Sequence, residues 1–210
     1  MGYNCVVCVK QVPDTKRITG QAMREDGTVN RAALPAIFNP EDLHALETAL
    51  EIRDAHGGTV TVVTMGPPKA ADVLRDSLFR GADRAILLTD RRAAASDTLA
   101  TSYILSQAVR TIGRYDFVFC GRQAIDGDTA QVGPQTAEKL GIPQITYAES
   151  VLEIADGLPD VFGSPNQLQQ VFVNLLINSA EAVLECGTVE IAVKRIESDD
   201  CVEVSVIDDG

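Results

Sequence analysis

Residues 118–134 read Val-Phe-Cys-Gly-Arg-Gln-Ala-Ile-Asp-Gly-Asp-Thr-Ala-Gln-Val-Gly-Pro, an order of residues suited to holding an anion. The apolar stretch Phe117 to Cys120 predicts a short strand. It runs into a loop that carries Gly121, Arg122, Gln123, Asp126, Gly127 and Asp128. Asp128 and Gln131 stand three apart, the spacing of a capping box, which predicts a helix opening at Asp128 or Thr129. Free N–H groups at such an end, the positive pole of the helix dipole and the nearby Arg122 favour a phosphate-like anion. An ordinary strand-to-helix turn with a good cap would use the same residues. The chemistry alone allows both.

Other reactive side chains say less. Cys5 and Cys8 have the spacing of a zinc knuckle or redox pair, but they sit in a predicted strand, where residues three apart face opposite ways. No second pair accompanies them, so both read as small buried apolar residues and not as ligands. The two histidines, His44 and His56, fall on or at the end of one predicted helix without a cysteine nearby. Five cysteines in a chain with no secretory pattern argue against a disulfide framework.

Elements that could position the loop alternate along the first two thirds of the chain. Strands are predicted at Cys5 to Val9, Thr59 to Met65, Ala85 to Leu88 and Phe117 to Cys120, and a fifth begins at Ile145 to Tyr147. Helices are predicted at Asp42 to His56, Lys69 to Arg80, Thr98 to Ile112 and Ala130 to Leu140, most of them stopped by glycine. Strands separated by such helices imply βαβ units and a parallel sheet covered on both faces, an α/β Rossmann-like domain. Ligands of such sheets bind beyond the carboxyl ends of the strands. Lys10 to Thr15, Asn39, Gly66 and Gly121 to Thr129 all fall on that edge.

After about Ser150 the pattern changes. A helix is expected from about Asn166 to Glu185, with Leu168, Val171, Phe172, Leu175, Leu176, Ala180 and Val183 at helical spacing. Strands at Val189 to Ile196 and Val202 to Ile207, joined by the Ser198-Asp199-Asp200 turn, read as a hairpin. Charge shifts at the same place. Of the net −12, residues 1–150 carry 16 Lys and Arg against 18 Asp and Glu, while residues 151–210 carry 2 against 12. An acidic tail disfavours nucleic acid as a partner. There is no apolar run long enough for membrane insertion and no signal-peptide pattern at the start, so a soluble, cytoplasmic protein is expected.

The loop at 118–134 resembles the nucleotide-binding loop of the electron transfer flavoprotein beta subunit family, which includes FixA proteins. The same family is resembled by Val7-Cys8-Val9-Lys10-Gln11-Val12-Pro13-Asp14-Thr15, Phe38-Asn39-Pro40-Glu41-Asp42, Val63-Thr64-Met65-Gly66-Pro67-Pro68 and Gly81-Ala82-Asp83-Arg84. The likeness covers residues 1–150 and implies an electron carrier, not an enzyme, that works with an alpha subunit and with acyl-CoA or other dehydrogenases. It implies FAD or AMP as cofactor, and the motif versions are most like the flavin-bifurcating branch, which places FAD where the other holds AMP. The implied contacts are the backbone of Cys8 and Val9, Asn39 near ribose or phosphate, and Met65 and Gly66 near adenine. Gly121, Arg122, Gln123, Asp126, Gly127, Asp128, Thr129 and Gln131 would surround the phosphates. Two carboxylates suit a phosphate site only if they cap the turn or meet Mg²⁺; capping is the preferred reading of Asp126 and Asp128.

Residues 158–210 resemble a different family, the ATPase domain of histidine kinases. Gln167 to Ala182 is similar to its N-box, and Val204 to Gly210 to the start of its Asp-x-Gly-x-Gly motif. The resemblance implies ATP and Mg²⁺, with Asn178 as the magnesium ligand, Asn174 near the phosphates, and Asp208 and Gly210 at the adenine. The ATP lid and later glycine-rich box are not visible, so this α+β segment is expected to be incomplete and inactive. The expected organisation is an incomplete flavoprotein-type domain (1–150), a junction (151–157) and a kinase-like fragment (158–210). A blander alternative makes the tail a surrogate for the first domain's missing strands.

Overall fold

The computed structural model describes residues 2–14, 34–154, 179, 188–196 and 201–208, divided between two units, 1–150 and 151–210. In the first, β1 (Tyr3–Cys8), β4 (Gly58–Met65), β5 (Arg84–Leu88) and β6 (Phe117–Cys120) form a four-stranded sheet in the order β5-β4-β1-β6. Every pairing in it is parallel. Val6, Val7, Val60, Val62 and Val63 are wholly shielded from solvent, and this near-continuous valine content is what a parallel strand with both faces covered requires.

Helices cover the two faces. α1 (Pro40–His56) and α2 (Ala71–Phe79) pack on one face, burying Leu46, Ala49, Leu50, Val73 and Leu74. α3 (Thr98–Ile112) sends Leu105 and Val109 into a cluster with Val6, Cys8 and Val63 on the other. α4 (Val132–Leu140) lies beside α3 and adds Val132 and Leu140 to that cluster. Strand periodicity sorts the register accordingly. Val7 lies opposite Val62 and Phe119, while Cys8 lies opposite Val63 and Cys120 on the α3 side.

Two expectations need correction, and one element is new. No strand begins at Ile145: residues 142–150 lack regular structure, Tyr147 has a left-handed φ of 59°, and both side chains are about three-quarters exposed. Pro143 removes one ladder donor there and Tyr147 turns the chain away from β-geometry. A small antiparallel ribbon of β2 (Gln11–Pro13) and β3 (Ala36–Phe38) forms instead, which local patterning does not reveal because each strand has only three residues. The second correction is that α4 starts at Val132, two residues after the expected Ala130, for reasons that lie in the loop before it.

The Gly81 to Arg84 motif lies at the opposite edge of the sheet from the loop. Asp83 accepts from the Val60 N–H at 2.7 Å and pairs with Arg53 at 3.3 Å, so it secures the entry to β4 and β5. In the second unit, β7 (Val189–Ile196) and β8 (Cys201–Asp208) pair antiparallel in full register, with Lys194 and Glu203 directly opposite and 3.2 Å apart. The Ser198 to Asp200 turn and almost all of the helix expected at 166–185 lie outside the described residues; Ser179 is helical and buried.

Candidate functional site

The carboxyl ends of β1 and β6 and the N-terminus of α1 meet in one constellation. Asn39 is the N-cap of α1, with Pro40 fixing the first turn. Its side chain makes no cap bond; it is fully buried and spent across space. Its amide nitrogen donates to the Gln123 carbonyl at 2.8 Å, and its oxygen accepts from the Ile125 N–H at 3.2 Å. Its own N–H donates to the Lys10 carbonyl at 3.0 Å. One asparagine thus ties the loop after β6 to both α1 and the segment after β1.

Asp42 is the second knot. Its carboxylate accepts from the Lys10 N–H at 2.8 Å and also from the Gly121 N–H and the Asn39 side chain. Burial pushes its pKa from 3.8 up to about 7, against the lowering effect of those donors and of the Lys10 charge. Gly121 passes so close that a Cβ there would meet Asp42 Oδ1, and would lie 2.6 Å from the Glu41 carbonyl carbon. Only glycine lets the loop cross the first turn of α1 at this distance.

Around this frame the charged residues are distributed. Lys10 Nζ meets Asp126 at 2.7 Å. Arg122 lies 3.8 Å from Glu41, an ion pair too long for a hydrogen bond, and its guanidinium sits 6.0 Å from the Tyr147 ring centre. Gln123 Nε2 donates to Asp128 Oδ1 at 3.0 Å, and the Gly127 and Asp128 N–H groups both turn back to the Ala124 carbonyl.

The expected capping box at Asp128 does not form. Asp128 and Ala130 have positive φ angles of 49° and 51°, so α4 starts at Val132 with Gln131 as N-cap and no side-chain cap. Both halves of the box are drawn elsewhere: Asp128 receives Gln123, and the Gln131 Oε1 accepts from the Thr98 hydroxyl at 3.0 Å. Asp126 and Asp128 therefore tether the loop from within the fold; neither caps a helix.

Cys8 ends β1, and Val9 just beyond it donates to the Val63 carbonyl at 2.9 Å. Met65 ends β4 and packs against the cluster containing Cys8, while the Gly66 N–H donates to the Leu88 carbonyl at 3.0 Å. All the first-unit site residues thus lie at the carboxyl edge. Direct bonds knit Lys10, Asn39, Asp42 and the 121–128 loop, and strand pairing brings Met65 and Gly66 alongside. Thr129 is exposed at the mouth of the turn. The roles of Lys10 and Asp42 are not apparent from motif position, and the only signal for Asp42 is its place three residues after the N-cap Asn39. Asn174, Asn178 and Gly210 lie outside the described residues; Asp208 closes β8, partly buried. Among the described residues, no three His, Cys, Asp or Glu side chains group as a metal site, and no helix is long and apolar enough to cross a membrane.

An anionic ligand suits this edge. A Cβ at Gly127 would meet nothing within 4 Å, so open space lies against the loop, and the uncapped first amides of α4 follow directly. Lys10 and Arg122 border the loop, each facing a carboxylate, Asp126 and Glu41 respectively.

Residues 26–173 match the model of the electron transfer flavoprotein domain. The matched span passes through 151–157 and ends inside the segment that resembles the kinase N-box. The chain is 53% identical over 148 residues to the electron transfer flavoprotein subunit beta of Clostridium acetobutylicum, covering 70% of this chain and 56% of that one. It is 56% identical over 153 residues to protein FixA of Azorhizobium caulinodans, covering 71% and 54%. It is 53% identical over 152 residues to the acryloyl-CoA reductase electron transfer subunit gamma of Anaerotignum propionicum, covering 71% and 56%. The chain spans about half the length of the curated relatives it matches. With a family match over most of its length and a parallel α/β sheet to carry it, the chain belongs to the electron transfer flavoprotein family.

Proposed function

We propose that the first unit binds an adenine nucleotide, FAD or AMP, at the carboxyl edge of its sheet, and that the chain serves as an electron-carrier subunit of the beta type. The observation that carries this reading is the loop 121–131. It is clamped by Asn39 and Asp42, opens into the amides of α4 and is flanked by Arg122 and Lys10. In this reading the first amides of α4 and the Arg122 guanidinium hold the phosphates, and the backbone beyond Cys8 and Val9 borders the ribose side. Met65 and Gly66 border the adenine. Asn39, with its amide already engaged, shapes the loop and does not grip the ligand. A bound flavin would supply the redox chemistry; the chain binds, orients and shields it. An alpha subunit and acyl-CoA or other dehydrogenases are the partners this reading assigns. It is favoured by relatives named as electron transfer flavoprotein subunit beta and as an electron transfer subunit of a reductase.

Calorimetric titration of the full chain with AMP and with FAD tests the site. Binding of either is expected, weakened in Arg122→Ala and when Thr129 is replaced by a bulky residue at the mouth of the turn. Absence of heat with both ligands at millimolar concentration would overturn the assignment. Stronger binding of FAD than of AMP would place the chain with the bifurcating branch.

A further inference from the structure

Cys8 and Cys120 share one feature that nucleotide binding does not use. They are direct partners in the pairing of β1 with β6. Adjacent strands in a sheet run about 4.8 Å apart, within the roughly 4.4–6.8 Å Cα separation of disulfides. In-register residues of parallel neighbours point to the same face, and both sulfurs enter the α3-side cluster. Both thiols are free, and the neighbouring Cys120 side chain raises the Cys8 pKa. Gly133 of α4 crosses above Cys120, where a Cβ would stand 3.4 Å from the Cys120 Cβ. Cys5 projects to the opposite face, opposite Phe117.

We propose that Cys8 and Cys120 form a redox-active dithiol, which a peroxide converts to a disulfide linking the ends of β1 and β6 beneath the 121–131 loop. Cys120 reacts first, being the half-buried member on the edge strand, whereas Cys8 is buried on an inner strand. Its sulfur attacks one peroxide oxygen, the O–O bond breaks, and the departing oxygen leaves as water with the thiol proton. Cys120 is then a sulfenic acid. The Cys8 sulfur attacks the sulfenic sulfur, an S–S bond forms, the S–O bond breaks, and a second water carries off the Cys8 proton. Two electrons pass from the two sulfurs to the peroxide. The adjoining Cys120 side chain, burial and the nearby Asp42 charge raise the Cys8 pKa and hold its thiol protonated, so the second step quickens as pH rises. Burial and the Asp116 charge push Cys5 up to about 11, which suits it poorly to compete.

The full chain treated with equimolar hydrogen peroxide, alkylated and digested should yield a Cys8–Cys120 linked peptide about 2 Da lighter than the two free-thiol peptides together. Dithiothreitol should restore both thiols. In Cys8→Ser the Cys120 sulfenic acid should persist and be trapped by dimedone; in Cys120→Ser the thiol of Cys8 should remain alkylatable. Linkage of other cysteines in its place, or oxidation of Cys120 to sulfinic acid in the unaltered chain with Cys8 still free, would overturn the proposal. The linked peptide is read in the unaltered chain, so the proposal stands or falls there even if a variant fails to fold.

Discussion

Gly121 and Gly127 stand six positions apart in one loop and have opposite tolerances. At Gly121 an added methyl meets Asp42 and the Glu41 backbone, and backbone cannot swing aside. Gly121→Ala is expected to cost about 1–3 kcal/mol in denaturant unfolding, through overpacking, and to weaken nucleotide binding with it. Gly127→Ala, which meets open space, should stay within about 0.5 kcal/mol of the parent. Equal costs at the two glycines would mean that the loop does not cross α1 as described. Asp42 offers a pH test. Its folded pKa of about 7 lies above the ordinary 3.8, so between those values the folded chain holds a proton that the unfolded chain has released. This group's contribution to stability therefore falls as pH rises through that window, by up to about 1.4 kcal/mol per pH unit, and levels off above about 7. Asp42→Asn should flatten the pH 4 to 7 slope in urea unfolding curves. An unchanged slope would show that the carboxylate does not carry it.

At the scale of elements, two aspartates that look alike as helix caps behave differently. Asp97 caps α3, accepting from the Ala100 N–H at 2.8 Å, and Asp97→Ala should cost about 1 kcal/mol of stability. Asp128 caps nothing: left-handed residues intervene and its carboxylate serves Gln123. Asp128→Gly, which suits the left-handed φ and removes the carboxylate, should therefore cost well under about 0.5 kcal/mol, as at a surface site with one exposed bond. Thermal unfolding of the two variants side by side decides it, and an equal loss would restore the capping box at Asp128. Asn39 joins elements in another way. Asn39→Ala strands the Gln123 carbonyl and the Ile125 N–H in a buried setting, at an expected cost of about 1–3 kcal/mol for each group left unpaired. The loop should then exchange its amide hydrogens faster while β4 keeps its protection.

Among the described residues, the strands of the two units differ in how much structure supports them. β1 and β4 are flanked on both sides and covered on both faces, so their amides should be the slowest to exchange. β7 and β8 pair only with each other among the described residues, and Ile191, Val193 and Ile207 are exposed along them. A lone two-stranded ribbon is marginal in water and presents open edges. Hydrogen exchange is expected to show lower protection across 189–208 than across β4, with concentration-dependent association of the chain; equal protection in a monodisperse monomer would refute this. Incubation with labelled ATP and Mg²⁺ is expected to leave no acid-labile phosphate on His44 or His56, since both histidines belong to α1 of the electron transfer flavoprotein-type unit.

By itself the sequence determined the architecture of the first unit, because that information is local and repeated. Valine-rich runs of strand length, glycine-stopped helices and their alternation lead to a covered parallel sheet, and the boundaries of α3 and β6 are legible to the residue. It also gathers Lys10, Asn39, Gly66 and the 121–129 loop at one edge of the sheet, since parallel βαβ units put their loops at one end. Tertiary structure alone decided what the loop residues do. Asp128 and Gln131 satisfy every local rule for a cap, yet Gln123 and Thr98 claim their side chains across the fold. Asn39 turns from helix cap to clamp, and Asp42, an ordinary first-turn acid in the sequence, becomes a buried knot because three donors converge on it. The fifth strand fails for the same reason in reverse: Ile145 to Tyr147 has the composition of a strand, but Tyr147 adopts a left-handed backbone and pairs with no strand among the described residues. Spacing along the chain reports which bonds a side chain could make, and only the packed fold settles which of several donors and acceptors it meets.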